Sequence, residues 1–431
     1  MTRELCAYIG KTLVGTLSEN MGIWSFQYDQ AWVKDGFELS PGLPLTTAPH
    51  RDGGTLRPVQ WFFDNLLPEA DYRQKIMAFL QSGKTVDVDN WTMLASFGAE
   101  SAGALTLLAP GTELPKAGLK LLTNEALEAR IQAMPRQPLA AQAPKKMSLA
   151  GAQQKLPVVI VDGQLYEPTG SGASTHILKP NVLSEHYPCS AVNEWFSAQL
   201  AQRMGLNVPH IELRYVPSPV YIIQRFDRRQ TGNEIERLHT LDALQLLTLS
   251  AVSKYSQSGI KALLDVLSKC RTTATARLTL FRWTMFNVLI GNSDAHLKNI
   301  SLIASQDGYE LAPHYDLLST AAWSRPELLG QGESPWPDID MSFPIAGVLK
   351  YRELRKEHLA QFAKHLGIGA TGFTREFNKM VGRIEAVAAD LYAEFEARQD
   401  VPDAIRASQT HMLRSIRFLP IQTMVRQLQQ S

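Results

Sequence analysis

Asp294-Ala295-His296-Leu297-Lys298-Asn299 is the stretch that decides how this chain is read. An Asp followed five positions later by an Asn is the spacing of a kinase catalytic loop. There the Asp accepts the proton of the attacking hydroxyl and the Asn holds a magnesium ion on the phosphates. Upstream, Leu278 to Ile290 is apolar and long enough for a buried helix, with Gly291-Asn292 as its stop. Downstream, Ile300 to Ala304 and Tyr309 to Ala312 read as two strands joined by the turn residues Ser305 to Gly308. Asp316 follows that hairpin, where a kinase places its second metal ligand. The D-x-x-x-x-N spacing alone is unspecific. With the helix, the hairpin and the second Asp around it, it points to phosphoryl transfer.

Such chemistry needs a positioned nucleotide, neutralised phosphates and an oriented hydroxyl. Candidates for each occur in chain order. Lys179 ends the strand Thr175 to Lys179 and would reach the α- and β-phosphates; the plain alternative is a solvated strand-end lysine. Glu194, on the next helix, would pair with that lysine or else be a surface carboxylate. Between Ser148 and Lys155 the chain is rich in small residues. The amides of Ala150, Gly151, Ala152, Gln153, Gln154 and Lys155 could cradle phosphates, although no G-x-G-x-x-G or Walker pattern is present and an ordinary turn would also fit. Gln224 and Phe226 lie where a strand meets a polar connector, the place for adenine to find backbone hydrogen bonds. His296 and Lys298, inside the Asp–Asn loop, complete the ATP-binding set, while His314 and Tyr315 read as residues that order the loop. His296 has no second His at metal spacing, which rejects zinc. No G-x-S-x-G elbow exists to support a Ser-His-Asp hydrolase.

With 431 residues the chain has room for two or three domains and a large core. Its 45% hydrophobic and 20% charged content is that of a soluble globular protein. A net charge of +1 gives no global field toward nucleic acid or membrane. Cys6, Cys189 and Cys270 are odd in number and far apart, which argues against a disulfide framework and for a reducing compartment. No apolar run approaches the ~20 residues of a membrane span, and the first residues lack a signal-peptide core, so a cytoplasmic protein without membrane contact is expected. Short strands fill residues 5 to 48, and helices are expected around 61 to 68 and 72 to 80. A further strand is expected at 101 to 108 and a helix at 123 to 133 with Thr123 as its cap. Strands at 156–161, 164–166 and 175–179, a helix from Ala191 to Met204 closed by Gly205, and strands at 210–216 and 219–224 follow. Beyond Leu238 the pattern is helical apart from the hairpin and a loop at 319–345. The expected fold class is α+β, with units at 1–110, 111–237 and 238–431.

Met147 to Lys155, Thr175 to Lys179, Gln224 to Arg229, Gly291 to Asn299 and Pro313 to Asp316 together resemble the HipA family. These are serine/threonine kinase toxins of bacterial type II toxin–antitoxin modules. Phe62 to Pro68 and Ser101 to Leu105 are similar to the N-terminal subdomain of that family. The resemblance implies a protein-kinase-like bilobal fold with an extra N-terminal β-rich subdomain and an all-helical C-terminal lobe. It implies ATP and Mg2+ as cofactors, Asp294 as catalytic base, Asn299 and Asp316 as metal ligands, and Lys179 as the phosphate lysine. Ser148 matches the family's autophosphorylated serine, whose modification ejects the phosphate loop. The implied partners are a HipB-like helix-turn-helix antitoxin, operator DNA reached through it, and a protein substrate such as glutamyl-tRNA synthetase. Two features depart from the usual kinase pattern: Leu317-Leu318 replaces Phe-Gly after the metal Asp, as is usual in HipA-like proteins, and Trp323 to Phe343, with Pro326, Pro335 and Pro337, is left without an assigned counterpart. A small-molecule phosphotransferase of the same fold and a silent co-repressor module are the rival readings.

Overall fold

The structure is a computed structural model that describes residues 2–81, 89–145, 147, 150–232, 234–324, 336 and 338–430. It divides into two compact units, each assembled from three stretches of chain. The first takes residues 1–179, 223–253 and 301–309; the second takes 180–222, 254–300 and 310–431.

The first unit opens with an antiparallel sheet. Arg3–Ile9, Thr12–Asn20 and Ile23–Tyr28 pair in chain order, Leu105–Leu108 joins beside the first strand, and His50–Arg51 joins beside the third. Trp24, Phe26 and Tyr28 alternate into the core, as a period of two requires for a sheet with one covered face. The helix Pro58–Asp64 lies against this core, with the Phe63 ring 5.8 Å from Phe26. Asp52 starts that helix by accepting from the Val59 and Gln60 amides, groups that have no partner within a helix. Helices at Gln30–Asp35 and Asn90–Phe97 and a strand at Gly118–Leu121 add to the elements expected from the sequence. The helix Asn124–Ala133 forms as expected, the Thr123 hydroxyl accepting from the Ala126 amide.

A second sheet contributes four strands to this unit, in the order His176–Pro180, Leu156–Val161, Gln164–Thr169, Gly118–Leu121. Asp162-Gly163, both at positive φ, makes the tight turn between its central strands.

Between the two sheets lies a buried cluster of charges that sequence reading did not find. The Glu100 carboxylate, with no exposed surface, accepts from Ser174, Lys145, Arg225 and Arg228. Asp227 receives two bonds from Arg225 and one from the Gly103 amide. Burial alone would raise both carboxyl groups; the facing guanidinium groups outweigh it and hold both well below the usual carboxylate range. This cluster is why the strand expected at 101–108 begins only at Leu105. Residues 101–103 spend their backbone groups on Arg225, Arg228 and Asp227 instead of on a neighbouring strand.

Residues 238–431 are not all helical, which corrects the expectation of a purely helical C-terminal lobe. Thr240–Asp242 pairs with Ser301–Ser305, and Asp340–Ile345, at the end of what reads as a loop, pairs with Val348–Lys350 just beyond it. These strands are three to six residues long, too short for a pattern of alternation to separate them from loop.

The second unit is mainly helical. Ser190–Arg203 and, from Leu280 on, Thr273–Leu289 are buried on nearly every side, and Ile260–Lys269, Lys356–His365, Ala370–Val381, Ile384–Glu396, Asp403–Ile416 and Gln422–Gln429 pack around them. The helix Ser190–Arg203 meets Ile384–Glu396 through the Trp195–Phe395 rings, 5.8 Å apart, and the forked Arg203–Glu394 pair. Among the described residues no helix is long and apolar enough to cross a membrane.

Asp64, at the end of the helix Pro58–Asp64, gives a stability test. Burial pushes its carboxyl up to about 6, against the lowering effect of a 2.9 Å bond from Asn90. Below pH 3.8 both folded and unfolded chains hold the proton. As pH rises toward 6 the unfolded chain loses it first, so the stability linked to this group falls. Asp64→Asn should therefore gain about 1–3 kcal/mol over wild type at pH 7.5, and little at pH 4, in urea unfolding. An advantage independent of pH would contradict the shift.

Candidate active site

The helix Thr273–Leu289 begins earlier than the sequence suggests and ends where expected, with Gly291 at φ +64. A Cβ at Gly291 would lie 2.6 Å from the Ala321 Cβ and 2.9 Å from the Pro420 Cβ, so both conformation and space demand glycine. Asn292 turns back on the helix: its amide donates to the Asn287 carbonyl and its side chain to Asn287 Oδ1. Its own Oδ1 accepts from the Asp294 amide at 3.1 Å, which aims the start of the loop. Ser293 is tied to Thr320, whose hydroxyl also reaches the Gly291 carbonyl at 2.8 Å. The loop closes on itself where His296 N donates to Asn299 Oδ1 and Asn299 N to the His296 carbonyl.

Asp294 therefore stands on a braced backbone with its carboxylate about half exposed, 48% of the side chain being open. The Tyr255 hydroxyl donates to its Oδ1, and His296 Nε2 lies 3.6 Å from the same oxygen. Asn299 Nδ2 is 3.4 Å from Asp316 Oδ2, which places the two proposed oxygen donors side by side. Asp316 sits at φ +51, a left-handed position that Asp tolerates better than most residues. The segment after it is clamped. Ser319 N donates to Asn193 Oδ1, and Asn193 Nδ2 returns a bond to the Ser319 carbonyl, a two-way link between buried residues.

Glu194, next to that Asn193, is buried and not the surface carboxylate of the plain alternative. Burial pushes the Tyr221 hydroxyl well up, and the charges of Glu194 and Asp316 add to it, so both carboxylates are within electrostatic reach of Tyr221. His314 is pushed down to about 4 by burial and is neutral at physiological pH. Tyr315 donates to the Lys298 carbonyl at 2.7 Å, the ordering role expected of it.

An exposed carboxylate with a hydroxyl already donating to it has the contact a general base needs. Asn299 Oδ1 and the Asp316 carboxylate are hard oxygen donors. One carboxylate with phosphates and waters completing the shell is how magnesium is commonly held, so the residues fit that ion. Among the described residues no group of three or more His, Cys, Asp or Glu is placed to hold a metal by itself.

The remaining candidates lie in the first unit. Gly151 is at φ +109, and the Lys155 ammonium donates to the Ala150 carbonyl, folding 150–155 into a tight loop. Gln154 Oε1 accepts from the Leu139 amide, and the Gly151 carbonyl accepts from the Glu69 amide, fastening this loop to the end of the Phe62 to Pro68 motif. Ala152 and Gln153 continue the loop. Ser148 and Leu149 lie outside the described residues. Lys179 is buried at its strand end and not solvated. Gln224 and Phe226 alternate with the inward-facing Arg225 and Asp227: Gln224 is exposed and Phe226 half-buried. Sequence reading missed Tyr255, Asn193, Asn292 and Thr320. Asn292 and Thr320 are near enough in sequence to the motif residues to have been suspected. Tyr255 lies 39 residues before Asp294 and carries no local signal.

Two family models cover most of the chain: a HipA N-terminal domain over residues 5–108 and a HipA-like C-terminal domain over residues 147–391. The chain is 32% identical over 407 residues to the Y4mE protein of Sinorhizobium fredii, covering 89% of this chain and 92% of the relative. It is 30% identical over 412 residues to the serine/threonine-protein kinase toxin HipA of Shewanella oneidensis, covering 90% and 89%. A chain from the solved complex of HipA, HipB and operator DNA of Shewanella oneidensis MR-1 superposes with a TM-score of 0.77 at 25% identity, over 98% of this chain and 97% of that one.

Gly291→Ala tests how far the loop depends on its glycine. A left-handed alanine strained by about 1–2 kcal/mol, plus the contacts with Ala321 and Pro420, should lower stability by about 2–4 kcal/mol. Chemical denaturation measures this, and an unchanged midpoint would contradict it.

Proposed function

The chain belongs to the HipA family, and from that premise we propose that it is an ATP- and magnesium-dependent serine/threonine protein kinase acting as the toxin of a type II toxin–antitoxin module. The observation that carries this is the half-exposed Asp294 carboxylate, already accepting from a hydroxyl, on the same short loop as Asn299, whose side chain pairs with Asp316. In this reading Asp294 takes the proton of a substrate Ser or Thr hydroxyl. That oxygen forms a bond to the γ-phosphorus as the bond to the ADP oxygen breaks. Lys179 and the amides of the 150–155 loop hold the phosphates, and Gln224 and Phe226 border the adenine. Asn299 and Asp316 would hold magnesium, which would neutralise charge on the phosphates. Glu194 is the candidate partner of Lys179, and Ser148 the candidate site of self-phosphorylation.

The relative solved with HipB and operator DNA supports a HipB-like antitoxin as partner, proposed to be a helix-turn-helix protein, with DNA contact through it. With a net charge of +1, this chain has little drive to bind DNA alone. Its basic run is partly spent internally: Arg352 lies 3.6 Å from Asp338, and Arg355 donates to the Arg352 and Leu354 carbonyls. The protein substrate is a component of translation such as glutamyl-tRNA synthetase, and the setting is the cytoplasm.

Incubation with cell lysate, Mg2+ and γ-labelled ATP should yield a labelled protein band. Asp294→Asn should lower the labelling rate by roughly 10²–10⁴-fold with nucleotide binding retained, whereas Asp316→Ala should weaken Mg-ATP binding itself. Label appearing only in a small molecule would replace the protein kinase with a metabolite kinase. Equal labelling by Asp294→Asn would remove Asp294 as base.

In gel-shift assays the isolated chain should bind operator DNA weakly until a HipB-like protein is added. Tight binding by the chain alone would overturn the indirect DNA contact.

A further inference from the structure

The contact between Tyr255 and Asp294 resembles the one an acceptor hydroxyl would make. We infer that Tyr255 is an acceptor-site gate: its hydroxyl occupies, on the Asp294 carboxylate, the place that the Ser or Thr hydroxyl of an incoming protein must take. This rests on Asp294 being the base.

The arrangement is built and not a chance contact of a surface side chain. Tyr255 stands edge-on to the His296 ring, 4.9 Å between centroids, within the loop that carries Asp294. The Lys254 ammonium lies over the Tyr255 ring, 5.1 Å from its centroid. The turn that presents them is pinned to the catalytic loop: Leu297 N donates to the Ser258 hydroxyl at 3.2 Å, and that hydroxyl donates to the Lys254 carbonyl at 2.6 Å. Yet Tyr255 is 46% exposed, so its ring can swing outward without opening the core. A phenol donating to a carboxylate is a charge-assisted bond, stronger than one between neutral groups. An acceptor must exchange this bond for its own. The gate thus disfavours acceptors, and bulk water, that bring no further binding energy from the surrounding protein surface.

The test compares wild type, Tyr255→Phe and Asp294→Asn as full-length chains, with dephosphorylated casein as acceptor and Mg-ATP. Tyr255→Phe should lower the KM for casein about ten-fold and leave the KM for Mg-ATP unchanged, since only acceptor binding competes with the phenol. A fall in kcat with an unchanged KM for casein would make Tyr255 an orienting residue and overturn the gate. If Asp294→Asn retained phosphotransfer, the base assignment would fail instead, so the two failures are separable. A second readout needs no turnover. O-acetylation of Tyr255 by N-acetylimidazole, read by peptide mass mapping, should be slower in wild type than in Asp294→Ala. Equal rates would mean the phenol is not held on the carboxylate, and the gate would fall.

Discussion

A carboxylate with no exposed surface has to be met by positive charge, and Glu100 is such a carboxylate. Lys145, Ser174 and the pair Arg225 and Arg228 converge on it from three separate places in the chain. The same arginines, with Arg237, then hold the backbone carbonyls of Ser101, Gly103 and Leu105. One buried charge therefore joins the start of the last strand of the N-terminal sheet, the segment entering the 150–155 loop, and the connector after Gln224. Removing one member of such a cluster typically costs about 3–5 kcal/mol, because the partners remain buried and unpaired.

The second unit solves its positioning problem with neutral groups. Amide and hydroxyl pairs (Asn292 with Asn287, Thr320 with Gly291 and Ser293, Asn193 with Ser319) set the backbone around Asp294 and Asp316. The difference has a physical reason. A loop that is to meet nucleotide phosphates and a divalent cation gains from fixed dipoles, whereas fixed charges beside it would compete for the ion or repel the phosphates. Asp294 is left half-open, so a substrate can reach it, and Tyr255 covers it only with a side chain.

The motifs of the family resemblance acquire separate meanings in this light. Gly291 to Asn299 and Pro313 to Asp316 hold the residues proposed as base and metal ligands. Ser101 to Leu105 and Gln224 to Arg229 are two halves of one structural device, since Asp227 accepts from the Gly103 amide and Arg225 donates to the Ser101 carbonyl. Phe62 to Pro68 serves as an anchor: Asn65 donates to the Leu249 carbonyl, and the residue after Pro68 donates to Gly151. A motif that marks a family can thus carry structural bonds as well as ligand contacts.

What the sequence by itself determined is local. The apolar helix into Gly291, the five-residue Asp–Asn spacing, the hairpin with its Gln306-Asp307 turn and the Thr123 cap are all set by interactions between residues a few positions apart. Steric and hydrogen-bond rules of that range act on the chain directly, so spacing alone reveals them. Only the tertiary structure decided that Arg225, Asp227 and Arg228 face inward, that residues 101–104 are not strand, that Glu194 is buried, and that Tyr255 meets Asp294. Those outcomes join residues 30 to 130 positions apart. Whether a charge there is solvated or paired depends on which surfaces close over it once the chain has folded, and no local pattern carries that information.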